Sequence, residues 1–182
     1  MASASWAKIA RRIRVPLGFV FTALYLWLAT PTAASMLIGS ALIIPGLAIR
    51  ALASGHIQKN EQLTMTGPYS YTRNPLYLGS LILAVGFAIS ARSLWIGAGL
   101  ILMFLAIYLP VIRGEETFLR EHFAEFAEYA RQVPRLRPRL NSFSSSRGLF
   151  SWDLYWKHRE YNATLGSVLI MAALMAKRLY SR

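Results

Sequence analysis

The sequence predicts an all-α integral membrane protein, a helical bundle of four to five transmembrane helices with a cytoplasmic amphipathic helix in its C-terminal part. Of the 182 residues, 55% are hydrophobic and 15% are charged, and apolar runs of nearly membrane-spanning length recur along the chain. Lysine and arginine flank these runs and do not line one face. The net charge of +12 therefore fits anionic membrane lipids and not nucleic acid.

The composition also limits the chemistry that the chain can perform. It contains no cysteine, which excludes disulfides, thiolate nucleophiles and cysteine-ligated zinc. Its three histidines lie far apart and lack the spacing of paired ligands, so we expect no metal site. The length allows one compact bundle.

Four apolar runs predict two helical hairpins, the first turning at Pro31 and the second around the sequence ARS. Each run is close to the lower limit of about 17 residues for a spanning helix, and flanking arginines can extend toward the headgroups. The small residues of ATPTAAS resemble a signal-peptide cleavage site, but the second run follows at once and favours a hairpin. The runs cover residues 15–30, 33–49, 76–91 and 94–112.

The distribution of lysine and arginine predicts the orientation of the bundle. Four precede the first run, three lie between the second and third runs, and nine lie between residues 113 and 159, whereas the outer turns hold only Arg92. By the positive-inside rule, the N-terminus, the 50–75 loop and the chain after Ile112 face the cytoplasm. Polar residues capable of chemistry therefore gather on the cytoplasmic side.

The part of the chain after the fourth run mixes amphipathic and flexible sequence. In EETFLREHFAEFAEYARQV, apolar residues at alternating spacings of four and three predict one amphipathic helix. NSFSSSRG is typical of a flexible linker, and FSWDLYWKHREY of a membrane interface. A final apolar run over 165–176 is either a short fifth span or a helix packed on the inner side. We divide the chain into a first hairpin (1–50), a core with the second hairpin (51–140), and a linker with a C-terminal interfacial or apolar helix (141–182).

The stretch TGPYSYTRNPLYLG concentrates more polar and aromatic residues than a connection requires. As a plain turn it is explained by Gly67-Pro68, by Asn74 as the cap of the third helix and by Pro75 in its first turn. Its tyrosines then serve as interface aromatics and Arg73 as a cytoplasmic charge. This interpretation leaves the concentration of such residues unexplained.

A second polar cluster follows Pro110 at the cytoplasmic end of the fourth run. Glu116 and Arg120 are four residues apart and can pair on the helix surface, which leaves Glu115 on the inward face. A carboxylate so close to membrane depth requires a partner or a function. Because the third and fourth runs are hairpin neighbours, we expect this cluster to lie beside the tyrosine-rich stretch.

Two blocks of sequence resemble the isoprenylcysteine carboxyl methyltransferase and phospholipid methyltransferase family of integral membrane enzymes. The blocks are GHIQKNEQLTMTGPYSYTRNPLYLG and RGEETFLREHFAEFAEYARQVPRLRP. The shared pattern is a Gly-Pro-Tyr turn, Arg-His/Asn-Pro-x-Tyr-x-Gly, Glu-Glu-x-x-Leu, a Phe-x-x-Tyr helix and Val-Pro-Arg. Together the blocks span residues 55–138 in the order and separation of the family.

The resemblance implies an S-adenosylmethionine-dependent methyltransferase that holds its cofactor on the cytoplasmic side and methylates a lipophilic acceptor from the bilayer. Many members have histidine where this chain has Asn74, which can hydrogen-bond but cannot titrate. Arg113 and Glu116 are the catalytic candidates, and one or the other is expected to face the acceptor. The implied cofactor contacts are Glu61, Gln62, Leu63, Thr64, Tyr69, Arg73, Asn74, Pro75, Leu76, Tyr77 and Glu115.

The residue types agree with methyl transfer. Displacement at a sulfonium disperses positive charge, so the protein mainly has to align donor and acceptor. Tyr69 and Tyr77 are expected to wall the cofactor, Glu115 to bind its amino group and Arg73 its carboxylate. A prenylcysteine carboxylate, a phospholipid amine and a small thiol or other lipophile all remain possible acceptors.

Two other functions stay open at the level of sequence. Membrane sterol reductases share a similar Arg-His-Pro-x-Tyr pattern and use NADPH, although they are expected to need a larger bundle. A non-catalytic membrane scaffold is the second alternative, favoured if Asn74 marks a loss of activity.

Overall fold

The computed structural model describes residues 2–58, 62–144 and 148–180, and in these ranges the chain forms helices and no strands. The predicted all-α architecture is confirmed. A 3₁₀ turn (Gly67–Ser70) precedes the third helix, and a π-helical turn (Phe104–Tyr108) joins the fourth to the fifth. The α-helices are α1 (Ala2–Leu28), α2 (Ala33–Ser54), α3 (Pro75–Ala91), α4 (Leu94–Met103), α5 (Leu109–His122), α6 (Phe126–Gln132), α7 (Trp152–Lys157) and α8 (Tyr161–Tyr180).

Three of the described helical segments are long and apolar enough to cross a membrane: Ala33–Ser54, the continuous Leu94–His122, and Tyr161–Tyr180. Two shorter apolar helices, Pro16–Leu28 and Pro75–Ala91, complete the bundle. The last apolar run of the sequence thus belongs to a 20-residue helix, α8. This length favours a fifth span over a short helix on the inner side.

The bundle has two distinct ends. At one end, called the far end below, a buried cluster joins Tyr25 and Ala29 near the α1–α2 turn to Ala91 at the end of α3 and Leu174 near the end of α8. There Lys177 Nζ also donates to the backbone carbonyls of residues 26 and 27 at 2.7 Å. The start of α8 lies at the opposite end, called the site end below, together with the end of α2 and the start of α3. Helix α8 therefore runs the full length of the bundle.

Helices α2 and α3 form the most extensive helix pair, and glycines make it possible. A Cβ atom added at Gly86 would lie 2.8 Å from the Gly39 carbonyl oxygen, and one added at Gly79 would lie 2.8 Å from that of Gly46. The two glycines of each helix are seven residues apart, so both contacts fall on one face. This pairing joins the two predicted hairpins and sets Arg50, at the site end of α2, against the start of α3.

The predicted single amphipathic helix after the fourth run is wrong. Helix α5 ends at His122, Phe123 has an extended backbone (φ −129°, ψ 113°), and α6 begins at Phe126. The first half of the predicted helix is therefore a continuation of the fourth span. Its apolar positions still form one cluster, in which Phe126, Tyr129 and Val133 are buried against Leu63, Met65, Leu119, Phe123, Ala130 and Phe143.

Candidate functional site

A buried carboxylate, Glu116, organises the site end of the bundle. Glu116 is only 8% exposed. Oε2 accepts from Arg135 Nη2 at 2.6 Å and from Arg135 Nε at 2.9 Å, while Oε1 accepts from Asn74 Nδ2 at 3.0 Å and pairs with Arg73 Nη2 at 3.2 Å. This network joins α5 to the start of α3 and to the segment after α6. The same carboxylate raises the pKa of Arg135 through the hydrogen bond.

The sequence predicts that Glu115 faces inward and Glu116 faces the surface. The structure differs from this prediction. Glu116 is the buried residue of the two, and its partners are Arg73 and Arg135. Arg120, the alternative partner, lies over the Phe126 ring with its Cζ 5.7 Å from the ring centroid. Glu115 instead accepts a 3.0 Å hydrogen bond from Tyr77 Oη on α3.

Asn74 occupies the N-cap position of α3, but its side chain does not cap the helix. The amide donates both to Glu116 and, at 3.1 Å, to the backbone carbonyl of Arg135. The predicted capping role is therefore wrong. Pro75 takes the first position of α3 as expected, where a missing N–H costs nothing.

One nitrogen atom of the Arg73 guanidinium has no partner among the described residues. Its Nη1 donates to the carbonyl of Ala130 at 2.6 Å and Nη2 pairs with Glu116, but Nε is buried and has no partner in the described part of the chain. The guanidinium also lies 6.0 Å from the centroid of the Phe126 ring. A buried guanidinium N–H without a partner is costly, and a bound acceptor group would satisfy it.

Tyr69 carries a second unused polar atom. The residue is 6% exposed, and Tyr129 Oη fixes its backbone by donating to the Tyr69 carbonyl at 2.7 Å. Among the described residues, the Tyr69 hydroxyl has no partner. Burial raises the pKa of Tyr69 well above its usual value, and burial likewise raises that of Tyr129, so both phenols stay neutral. Gly67, at φ +56°, begins the turn that places Tyr69 here.

The other cofactor candidates are spread around this centre. Leu63 packs in the α6 cluster, and Thr64 Oγ1 accepts from the backbone N–H of Gln58 at 3.2 Å. Gln62 is exposed, Leu76 is half-buried in the first turn of α3, and Glu61 lies outside the described residues. Arg113 is exposed on α5, so it does not join the Glu116 network. The roles of all these residues, including Arg113 and Glu116, stay predictions.

Sequence reasoning missed three charged residues at the site end. Arg50 Nε and Nη2 pair with the two carboxylate oxygens of Glu160 at 2.6 and 3.0 Å, and Arg50 Nη1 donates to the Ser80 hydroxyl. Glu160 is 8% exposed and directly precedes α8. The third missed residue, Arg135, belongs to the quoted Val-Pro-Arg motif. A signal for Glu160 was its position as an acidic residue beside an apolar run.

An apolar groove runs along α3 and α4. This α3–α4 groove has a volume of about 970 Å³ and extends from Ser80 and Tyr108 at the site end to Arg92 at the far end. Tyr108 contacts Tyr77 edge to face, with ring centroids 6.1 Å apart. The cofactor candidates line neither this groove nor a second cavity of about 590 Å³ at the far end.

The fold and the site define an integral membrane protein whose polar and aromatic residues converge at one end of a helical bundle. The sequence matches the phospholipid methyltransferase family model over residues 15–125, and the chain belongs to that family. The match covers α2 to α5 and includes Tyr69, Arg73, Tyr77, Glu115 and Glu116. Membership confirms the resemblance found in the sequence and supports methyltransferase activity.

Two curated relatives share part of the sequence. The cobalt-zinc-cadmium resistance protein CzcN of Cupriavidus metallidurans is 42% identical over 98 residues, which are 54% of this chain and 44% of that protein. The nickel-cobalt-cadmium resistance protein NccN of Alcaligenes xylosoxydans xylosoxydans is 41% identical over 88 residues, 48% of this chain and 41% of that protein. The matched part spans less than half the length of both relatives. No solved structure matches.

Proposed function

We propose that the protein is an S-adenosylmethionine-dependent methyltransferase that acts on a lipophilic, membrane-associated acceptor. The observation that carries this proposal is a pair of buried polar atoms, Tyr69 Oη and Arg73 Nε, that lie inside the family-matched segment and have no partner among the described residues. Buried polar atoms are rarely left unsatisfied, so these two support a ligand-binding site. The Glu115–Tyr77 pair lies at the same end of the bundle and adds an anionic partner.

The donor set fits the chemical groups of the cofactor. Arg73 Nε would bind the carboxylate of the methionine part, Glu115 its ammonium group, and Tyr69 a polar atom beside them. Half-buried apolar residues such as Leu63 suit the adenine ring. When bound, the cofactor supplies an electrophilic methyl group on a sulfonium. The chain's own residues orient the two reactants and keep water away.

The Glu116 network serves this site by holding the Arg73 guanidinium in place. The Ala130 carbonyl and Glu116 each engage one Nη atom of Arg73, so the guanidinium is fixed in place, while Nε has no partner among the described residues. Asn74 contributes an amide donor to the same carboxylate and cannot take up a proton by titration. We therefore assign Asn74 and Glu116 to positioning Arg73.

The acceptor is proposed to reach the site from the bilayer, with its apolar part along the α3–α4 groove. The groove is lined mainly by apolar side chains, and Tyr108 at its inner end contacts Tyr77. The distribution of lysine and arginine places this end on the cytoplasmic side in our proposal. Reactants of different polarity then arrive by different routes.

The names of CzcN and NccN associate those relatives with resistance to metal ions. This chain has no cysteine, and the described residues include no group of three histidine, aspartate or glutamate side chains placed to hold a metal ion. We propose that any contribution of this protein to metal resistance is made through methyl transfer and not by binding the metal itself.

Calorimetric titration of the full chain in lipid nanodiscs tests the proposal. We expect S-adenosylhomocysteine to bind the wild type and not an Arg73→Ala, Glu115→Ala variant. The matched control is Arg131→Ala, Glu128→Ala, which removes an exposed ion pair of α6 and leaves the site intact. Binding of NADPH in place of S-adenosylhomocysteine would favour the reductase alternative, and binding of neither by folded protein would favour the scaffold.

A further inference from the structure

The α3–α4 groove continues the face of α3 that carries Tyr77. Residues of α3 that line the groove follow Tyr77 at spacings of four, three, four and four: Leu81, Ala84, Ala88 and Arg92. Residues at such spacings lie on one face of a helix. The groove therefore leads from Tyr77 to the far end of α3 without leaving this face.

Direct contacts join the inner end of the groove to the candidate site. Tyr108 lines the groove and packs edge to face against Tyr77, with the ring centroids 6.1 Å apart. Tyr77 Oη in turn donates to Glu115 at 3.0 Å. Tyr108 belongs to the π-helical turn, whose Phe104 and Leu105 also line the groove, and such turns are frequent at functional sites. A chain in the groove would thus have one end beside the polar site.

The length of the groove fits the apolar chain of a lipid. Ser80 and Arg92 both line it and are twelve positions apart, which is about 18 Å along a helix. An extended chain advances by about 1.2 Å per bond, so about 15 carbon atoms cover this distance. Arg92 and Ser93 bring polar groups to the far end, where the apolar lining stops. A short lipophile would fill only the part next to Tyr108.

Small residues leave the middle of the groove open. Ala84, Ala88, Gly97 and Ala98 line it, and a Cβ atom added at Gly97 would have no atom within 4 Å. The described side chains therefore leave a space of about 970 Å³ between apolar helices. Water is not stable in so apolar a space, whereas a hydrocarbon chain is.

We propose that the acceptor is a long-chain lipid and that the α3–α4 groove sets the register of its chain. The chain lies extended along α3, with the methyl-accepting headgroup beside Tyr108 and Tyr77 and the terminal carbon toward Arg92. This inference rests on the proposed function, and it excludes a small thiol or other short lipophile as the main acceptor. The groove supplies orientation and not affinity, because the bilayer is as apolar as the groove. Orientation is what methyl transfer requires.

Two other occupants predict different contacts. A lipid held by its phosphate at Arg92 would lie in the reverse direction, with its terminal carbon near Tyr108. Ordinary bilayer lipid would contact every exposed apolar helix face alike. The position along α3 that a given chain carbon reaches separates these occupants from the proposed one.

The test is photolabelling of the full chain in nanodiscs that contain phosphatidylethanolamine. One palmitoyl chain of this lipid carries a diazirine either near the headgroup or at the terminal carbon, and mass spectrometry locates the adducts. The reference is Leu169, which is 70% exposed on α8 and does not line the groove. We expect the first probe to label residues near Ser80 and the second to label residues near Arg92, each about fivefold or more above Leu169.

A variant that fills the groove provides the second arm of the test. Gly97→Leu introduces a side chain where the added Cβ meets no atom, and it should reduce labelling near Arg92 to the level of Leu169. The matched control is Gly166→Leu on α8, whose added Cβ is equally free, and it should leave the labelling unchanged. Binding of S-adenosylhomocysteine should persist in both variants, which shows that the site is folded.

Three results would overturn this role of the groove while S-adenosylhomocysteine still binds. They are labelling in the reverse order, equal labelling of the groove and Leu169, and labelling that Gly97→Leu does not change. Failure of the wild type to bind S-adenosylhomocysteine would instead overturn the proposed function itself.

Discussion

Asn74 donates its side-chain amide to Glu116 Oε1 across 3.0 Å, which joins the first residue before α3 to the middle of α5. Asn74→Ala should remove this bond and the one to the Arg135 carbonyl, at a cost of about 1–2 kcal/mol in the free energy of unfolding. Asn74→Asp should cost more, because it places a second carboxylate against Glu116. Denaturant unfolding in detergent micelles measures both, and equal stability of the two variants would contradict the contact.

Glu116 should contribute more to stability than the exposed carboxylates do. Glu116→Ala leaves Arg73 without its buried partner, and we expect a loss of about 3 kcal/mol. The matched variant Glu128→Ala breaks an ion pair whose side chains are 75% and 54% exposed, and it should cost less than about 0.5 kcal/mol. Thermal unfolding of the two proteins side by side compares them. Similar losses would show that Glu116 does not hold the network together.

Tyr69 and Tyr129 should respond in opposite ways to removal of their hydroxyls. Tyr129→Phe loses the 2.7 Å bond to the Tyr69 carbonyl and should destabilise the ligand-free protein by about 1 kcal/mol. Tyr69→Phe removes an unsatisfied buried atom and should leave that stability unchanged or higher. The same Tyr69→Phe change should weaken the binding of S-adenosylhomocysteine. Calorimetry and unfolding together decide this, and unaltered binding would remove Tyr69 from the site.

Gly86 should tolerate no side chain. A Cβ atom there would lie 2.8 Å from both the Gly39 carbonyl oxygen and Ile43 Cγ1, so Gly86→Ala should separate α2 from α3 at a cost of about 1–3 kcal/mol. Gly97 on α4 has no atom within 4 Å of its added Cβ, and Gly97→Ala should be neutral or stabilising. Unfolding midpoints of the two variants test the helix pairing, which predicts a lower midpoint for Gly86→Ala than for Gly97→Ala.

The proposed topology predicts opposite accessibility for the two ends of the bundle. The natural chain has no cysteine, so single cysteines can be introduced without further changes. A cysteine at Gln62, exposed at the site end, should react with a membrane-impermeant reagent only from the cytoplasm. One at Leu179, 60% exposed at the far end, should react only from the opposite side. Labelling of both from one side would exclude the five-span arrangement.

The sequence predicted the helical bundle and the position of Pro75, because apolar runs and a proline at a helix start are signals contained in short stretches of sequence. It also predicted that the two polar clusters lie close together, because they stand at the ends of neighbouring helices. It misplaced Glu115 and Glu116, since adjacent residues on a helix differ by about 100° in direction. The π-helical turn at Phe104–Tyr108 also changes the register of every later residue, and no simple sequence signal marks it.

Other features depended on contacts distant in sequence. The break at Phe123 leaves the spacing of the apolar residues intact, so a periodic pattern continues across a chain that is no longer helical. The partner of α2 was not apparent from the loops, although the seven-residue spacing of its glycines is a signal that could have identified α3. The Arg50–Glu160 pair could not be predicted, since nothing local relates two residues 110 positions apart.

That same separation has a consequence for biosynthesis. Arg50 enters the membrane with the second helix, whereas Glu160 emerges from the ribosome only after α3, α4 and α5 have been made. Until then Arg50 lacks its carboxylate partner. The site end of a nascent chain therefore stays incomplete until the start of α8 has been made.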